Sequence, residues 1–146
     1  MSLLLFRNAR ILWRLGFSIW IAESRKSGNL YSHVQPSKKA LQAIKDRITV
    51  VTLRKMTVKP FEKIMTEVNA TVRGWVGYFH FKNCSQVLTH VKGQIEERLE
   101  THQRKRHKIK DRGTGGIKFC SQKLYDKYGL YKVPTTAGWK KVHALQ

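Results

Sequence analysis

Between residues 60 and 79 apolar side chains recur every three or four positions, at Phe61, Ile64, Met65, Val68, Val72, Trp75 and Phe79. Such spacing lines one stripe of an α-helix, and Pro60 suits its first turn, where the missing N–H costs nothing. Upstream, Leu41, Ile44, Ile48 and Val51 repeat at similar intervals after Pro36-Ser37, predicting a helix from Lys38 to Lys55 with Ser37 as its N-cap. Lys38, Lys39, Lys45 and Arg54 then fall on its opposite face. Lys82 and Asn83 break the pattern, and Leu88, Val91, Ile95 and Leu99 begin a third stripe that Ser85 is placed to cap and that runs past Gln103.

Before the first helix the periodicity changes. Leu15-Gly16-Phe17-Ser18-Ile19-Trp20-Ile21 and Leu30-Tyr31-Ser32-His33-Val34 flank a turn-rich Glu23 to Asn29, which predicts a β-hairpin. After Asp111, Gly113, Gly115 and Gly116 suggest a flexible hinge. Beyond it Ser121 is placed to cap a short helix ending at Gly129, and Trp139 is the expected packing anchor of the tail. The expected architecture is mainly α: a three-helix bundle over 36–112, preceded by a hairpin in 1–35 and followed by a small Gly-linked helical and irregular unit in 113–146.

Charge alters this picture more than composition does. The chain has 146 residues, enough for one ordinary domain, and carries 29 Lys and Arg against 9 Asp and Glu, a formal net charge of +20. The excess runs through every segment, so no detachable basic tail accounts for it. A polyanion is the natural counterpart of such a surface, which makes nucleic acid the expected partner. With neither a long apolar span nor a lipidation motif, a membrane partner is not expected. Cys84 and Cys120 suggest no disulfide framework, and the acid-free, Arg-bearing start of the chain reads as no export signal. A reducing compartment, the cytoplasm, is expected, with an organelle as the alternative.

The densest basic stretch is Arg104-Lys105-Arg106-His107-Lys108-Ile109-Lys110-Asp111-Arg112, suited to phosphate contacts or, more plainly, to a solvated helix end opposing the dipole. Aromatics interleave with lysines in Lys118-Phe119, Lys123-Leu124-Tyr125, Lys127-Tyr128 and Tyr131-Lys132. That pairing fits stacking on unpaired bases, although each ring could equally serve to fold the tail. No CxxC accompanies His102 and His107, nor does a nucleophile motif surround any Ser or Cys, so no metal, cofactor or catalytic residue is expected. Gly74 and Gly77 beside Trp75 imply either close backbone approach or a frayed helix end.

The segment Asn69-Ala70-Thr71-Val72-Arg73-Gly74-Trp75-Val76-Gly77-Tyr78-Phe79 resembles the Asn...Arg-Gly-Trp...Tyr-Phe signature of the group II intron maturase-specific domain. Leu15-Gly16-Phe17, Pro36-Ser37-Lys38-Lys39-Ala40, Glu97-Arg98-Leu99, Arg106-His107-Lys108 and Tyr128-Gly129-Leu130-Tyr131-Lys132-Val133-Pro134 are similar to the C-terminal part of bacterial group II intron reverse transcriptase/maturases, a resemblance covering roughly 15–146. It implies a thumb-like bundle followed by the RNA-binding region called domain X, and a role in binding structured intron RNA and assisting its splicing. Complete proteins of this mobile-element family also hold template and primer, so DNA, an RNA/DNA hybrid, or a separately encoded palm are further implied partners.

No Tyr-Ala-Asp-Asp block occurs and no His-Asn-His nuclease follows, so polymerase and nuclease chemistry are expected to be absent and the chain is expected to be a truncated frame, an excised domain or one piece of a split protein. The residues expected to meet RNA are Lys38, Lys39 and Arg73 on the first two helices, Arg98, Arg104, Lys105, Arg106, Lys108, Lys110 and Arg112 along and beyond the third, and Lys123, Tyr125 and Lys127 in the tail. Asn69, Gly74, Trp75, Tyr78 and Phe79 are the structural motif, with the three rings assigned to packing.

Overall fold

The computed structural model describes residues 16–138, so Trp139 and the segment Met1 to Arg14 lie outside the described residues. Strand β1 (Phe17–Glu23) pairs antiparallel with β2 (Leu30–Pro36), in a register that sets Ile19 opposite Val34 and Trp20 opposite His33. Helices α1 (Lys38–Val51), α2 (Phe61–Phe79) and α3 (Ser85–Arg106) follow, then α4 (Arg112–Lys118) and α5 (Ser121–Asp126). The fold is mainly helical behind an N-terminal hairpin, as the periodicity predicts.

Ser37 caps α1, its Oγ accepting from Ala40 N at 3.1 Å. The helix stops several residues short of the expected Lys55. Thr52 Oγ1 donates to Ile48 O at 2.7 Å, a side-chain bond that competes with helix propagation, and a 3-10 turn over Arg54–Val58 takes over. Ser85 and Ser121 turn out to be first helical residues rather than caps, those places being held by Cys84 and Cys120.

The three long helices run up, down and up. The Ser37 end of α1 lies by Gly16, which sits against the Phe79 ring at the end of α2, while Thr52 at the other end meets His102 near the end of α3. Every predicted stripe supplies the core: Ile44 and Ile48 from α1, Phe61, Ile64, Met65, Val68, Val72 and Val76 from α2, and Val87, Leu88, Val91, Ile95 and Leu99 from α3 are all buried. Each such side chain contributes about 1.5 to 3 kcal/mol when fully withdrawn from water.

Leu124, Leu130 and Val133 belong to that same core, so the tail lies on the bundle. Asn69 of α2 fastens it there. The Asn69 amide donates to Gly129 O at 2.9 Å and its Oδ1 accepts from Tyr131 N at 2.8 Å, so one side chain pairs the backbone much as a neighbouring strand would. This gives the Asn of the family-like signature a physical task.

The glycines expected to form a hinge lie inside α4 instead. Asp111 caps that helix, accepting from Thr114 N at 2.6 Å, and a Cβ added at Gly115 would come within 2.7 Å of Arg104 Cδ. Gly115 therefore permits close packing of α4 on α3. Neither expectation for Gly74 and Gly77 holds: α2 continues through both, and a Cβ on either would meet nothing within 4 Å among the described residues.

The link between α2 and α3 collects both flanks of the chain. Asn83 exchanges hydrogen bonds with Val34, its N–H donating to Val34 O at 3.0 Å and its Oδ1 accepting from Val34 N at 3.2 Å. Lys82 and Gly138 exchange backbone bonds of 2.9 Å in each direction, and a Cβ at Gly138 would collide with the His80 carbonyl and Phe81 N.

Candidate nucleic-acid interface

The last turn of α3 carries Arg104, Lys105 and Arg106, cations set favourably against the negative end of the helix dipole. Lys108 then adopts a left-handed backbone, φ 56°, which closes the helix and turns the chain toward α4. Lys110 and Arg112 follow on exposed backbone. The hydrogen bonds from Thr114 hold the exposed Asp111 carboxyl below the usual carboxylate range, leaving it charged and committed to capping α4.

The basic residues differ in what they are free to do. Arg106 Nη1 donates to Lys59 O, so this guanidinium ties the end of α3 to the start of α2. The stem of Arg104 covers Gly115, and its head shares a small cleft of about 240 Å³ with Arg112, Glu97, Glu100 and Thr101. The two glutamates make that cleft a poor place for a phosphate. Lys105, Lys108, Lys110, Arg112, Lys118 and Lys127 are exposed, and none makes an ion pair among the described residues. Lys59–Glu67 and Lys92–Glu96 are the ion pairs that do form among those residues. Opposite charges within the protein thus leave most of the cationic surface unneutralised.

A second, larger cleft of about 480 Å³ opens where α3, α4 and α5 meet, lined by His107, Lys118, Phe119, Lys123, Leu124, Lys127 and Tyr128. The His107 ring lies on Phe119, centroids 5.0 Å apart and planes 23° from parallel. Lys118 Nζ stands 5.8 Å from the Phe119 centroid and Lys127 Nζ 5.4 Å from that of Tyr128, within cation–π range. Lys123 Nζ donates to the carbonyls of Lys118 and Ile117, at 3.0 and 3.3 Å, satisfying the otherwise open end of α4.

Other expected RNA contacts are placed elsewhere. Lys38 and Lys39 are exposed on the first turn of α1, at the opposite end of the bundle from the basic run, separated by the length of α1, about 20 Å. Arg73 is exposed on α2 with its guanidinium 5.3 Å over the Tyr131 ring, and Arg98 is half-buried on α3. Tyr125 lies against the core and its hydroxyl donates to Glu96 Oε1 at 2.6 Å. Burial and that carboxylate push its ionisation far above the usual tyrosine range, so Tyr125 stays neutral and is occupied as a brace between α5 and α3. Of the signature rings, Trp75 and Phe79 pack together at 4.6 Å, whereas Tyr78 is 54% exposed beside Phe17 and Phe79.

His107, Phe119 and Tyr128 join the site without being among the residues expected from the sequence. The interleaving of aromatics with lysines was the available signal, but their convergence depends on the turn at Lys108. His102 and His107, five positions apart, part company: His107 joins the cleft, and His102 is 1% exposed in the core. His102 Nδ1 donates to Thr52 O at 3.2 Å and its ring stacks on Phe61.

Burial, chiefly, with repulsion from Arg106 and Lys105, lowers the His102 pKa below its ordinary 6.5, against the opposing pull of the Thr52 carbonyl. Above that ordinary value both folded and unfolded chains hold a neutral ring and the group is silent. As pH falls through 6.5 the unfolded chain takes up a proton that the folded one refuses, so stability drops by up to about 1.4 kcal/mol per pH unit until the folded-state pKa is reached. Urea denaturation between pH 7.5 and 5 should show this decline, and His102→Gln should lessen it. An unchanged gap between parent and variant across that range would refute the assignment.

Residues 41–118 match the family described as group II intron, maturase-specific domain, a span reaching from early α1 through α4. No curated protein and no solved structure matches the chain.

Proposed function

Since the chain belongs to the group II intron maturase-specific domain family, we propose that it is an RNA-binding module that grips structured group II intron RNA and assists its folding for splicing, without polymerase chemistry of its own. The observation that carries this reading is the cationic end of the bundle, where Lys105, Lys108, Lys110, Arg112, Lys118 and Lys127 stand exposed without carboxylate partners among the described residues. Phosphates set in the grooves and loops of a folded RNA would replace those missing acids. The helices supply rigidity, so the cations are held in a fixed array and favour RNA conformations whose phosphates fit it. A bacterial cytoplasm is the setting in which this role belongs.

The hairpin favours a second reading of the same chain. Packed by Phe17 on Tyr78 and Phe79 and hydrogen-bonded to Asn83, it gives the bundle a fixed β approach, as expected of a thumb attached to a polymerase palm. In that reading the chain completes a reverse transcriptase in trans with a separately encoded palm and holds template and primer.

Competition binding tests the first reading. With labelled intron RNA bound to the full chain, unlabelled intron RNA should displace the label at concentrations where tRNA does not. Equal displacement by both would reduce the module to nonspecific nucleic-acid binding, the behaviour of a decayed mobile-element remnant.

A further inference from the structure

We propose that the cleft between the end of α3 and the α4–α5 corner is a subsite for one unpaired nucleotide, its base stacked on the exposed face of His107 and its phosphate held between Lys118 and Lys127. The proposal rests on the reading of the chain as an RNA-binding module and names a ligand class for a specific place on it.

Three observations lead there. The first is shape: at about 480 Å³ the cleft falls within the roughly 300 to 1,000 Å³ of small-ligand pockets, whereas its half-enclosed form suits a single extruded nucleotide and not a helix. The second is charge, because among the described residues three lysines and a histidine line the cleft and no carboxylate does. Lysine ammoniums serve as point charges for phosphate, and those of Lys118 and Lys127 are already drawn over the Phe119 and Tyr128 rings at the rim. The third is a prepared stack. Phe119 is 8% exposed and backs the His107 ring, while His107 itself is exposed, so a base placed on its open face would extend a column already two rings deep.

The walls are rooted in the core and need little reorganisation. Tyr128 meets Phe61 edge-on at 4.7 Å, and Phe61 stacks in turn on buried His102. Lys123, tied to the carbonyls of Ile117 and Lys118, fixes the corner between α4 and α5 instead of reaching for ligand. A preorganised aromatic face of this kind is sequence-tolerant, since every base offers a π-surface, and stacking on one ring accounts for roughly a five- to hundredfold gain in affinity.

The test uses the full chain and a short RNA hairpin bearing 2-aminopurine in its loop, with the same fluorophore placed in the stem as control. Binding should quench the loop probe and leave the stem probe unchanged. His107→Ala should abolish the quench and weaken binding of the loop RNA about tenfold, His107→Phe should preserve both, and the double variant Lys118→Ala/Lys127→Ala should weaken binding while the circular dichroism spectrum stays that of the parent. Salt-sensitive binding without quench, or a quench that survives His107→Ala, would overturn the cleft and leave RNA binding intact. Absence of any binding to the hairpin or to intron RNA would overturn both.

Discussion

Raising the salt from 50 to 200 mM is expected to weaken the complex of this chain with RNA on the order of a thousandfold, if about six phosphates are engaged. The number follows from Lys105, Lys108, Lys110, Arg112, Lys118 and Lys127, the exposed cations gathered at one end of the bundle. Each phosphate they meet releases condensed counterions, and that release becomes less favourable as bulk salt rises. Filter binding over this range should give a steep straight line of log affinity against log salt. A nearly flat line would mean that the surplus charge is not what holds the RNA, and the proposed function would fall with it. Single substitutions should subtract in proportion: Lys105→Ala should lower the slope by about one.

The second large effect is on stability. Leu99 is 0% exposed and belongs to the core that the three long helices share, so Leu99→Ala should cost roughly 2 to 5 kcal/mol. Against a total stability of about 5 to 15 kcal/mol that is a substantial share, and for a chain of this size the melting temperature should fall on the order of 10 °C. Trp75→Ala should cost less, because Trp75 is only partly buried at the margin of the core. Lys105→Ala should leave melting within about 0.5 kcal/mol of the parent while weakening RNA binding, since its side chain is exposed and makes no ion pair among the described residues. If Lys105→Ala melts as early as Leu99→Ala, the separation of scaffold from binding surface is wrong. Arg106 is an intermediate case: through its bond to Lys59 O its loss should touch stability and binding together.

The long helices were legible because burying one face of a helix forces apolar residues into a period of three and four, as at the buried Leu88, Val91, Ile95 and Leu99. His102 continues that stripe at the next step, yet a polar residue gives no apolar signal, and only the Thr52 carbonyl opposite explains how the core accepts it. Gly113, Gly115 and Gly116 misled for the converse reason. Glycine lowers helix propensity, but Asp111 supplies the cap and the Arg104 stem needs the room, so tertiary packing outweighs local preference. The attachment of the tail was invisible because its anchor, Asn69, lies sixty residues away in sequence.

At the site, the density of cations was plain from composition. Which of them are spent on structure was not. Lys123 and Tyr125 looked like ligand-facing residues, but one serves an open helix end and the other a half-buried carboxylate, both matters of geometry that spacing does not encode.

The short connection after α2 has a bearing on how the molecule comes apart. Because Asn83 holds the hairpin and the adjacent Lys82 holds the Gly138 end of the tail, the two flanks are spliced to one knot although more than a hundred residues separate them along the chain. Unravelling either flank strips the same few residues of their partners and so loosens the other, which couples them as one cooperative opening unit. A partner that seizes only the hairpin would thereby steady the tail and the basic corner that it completes.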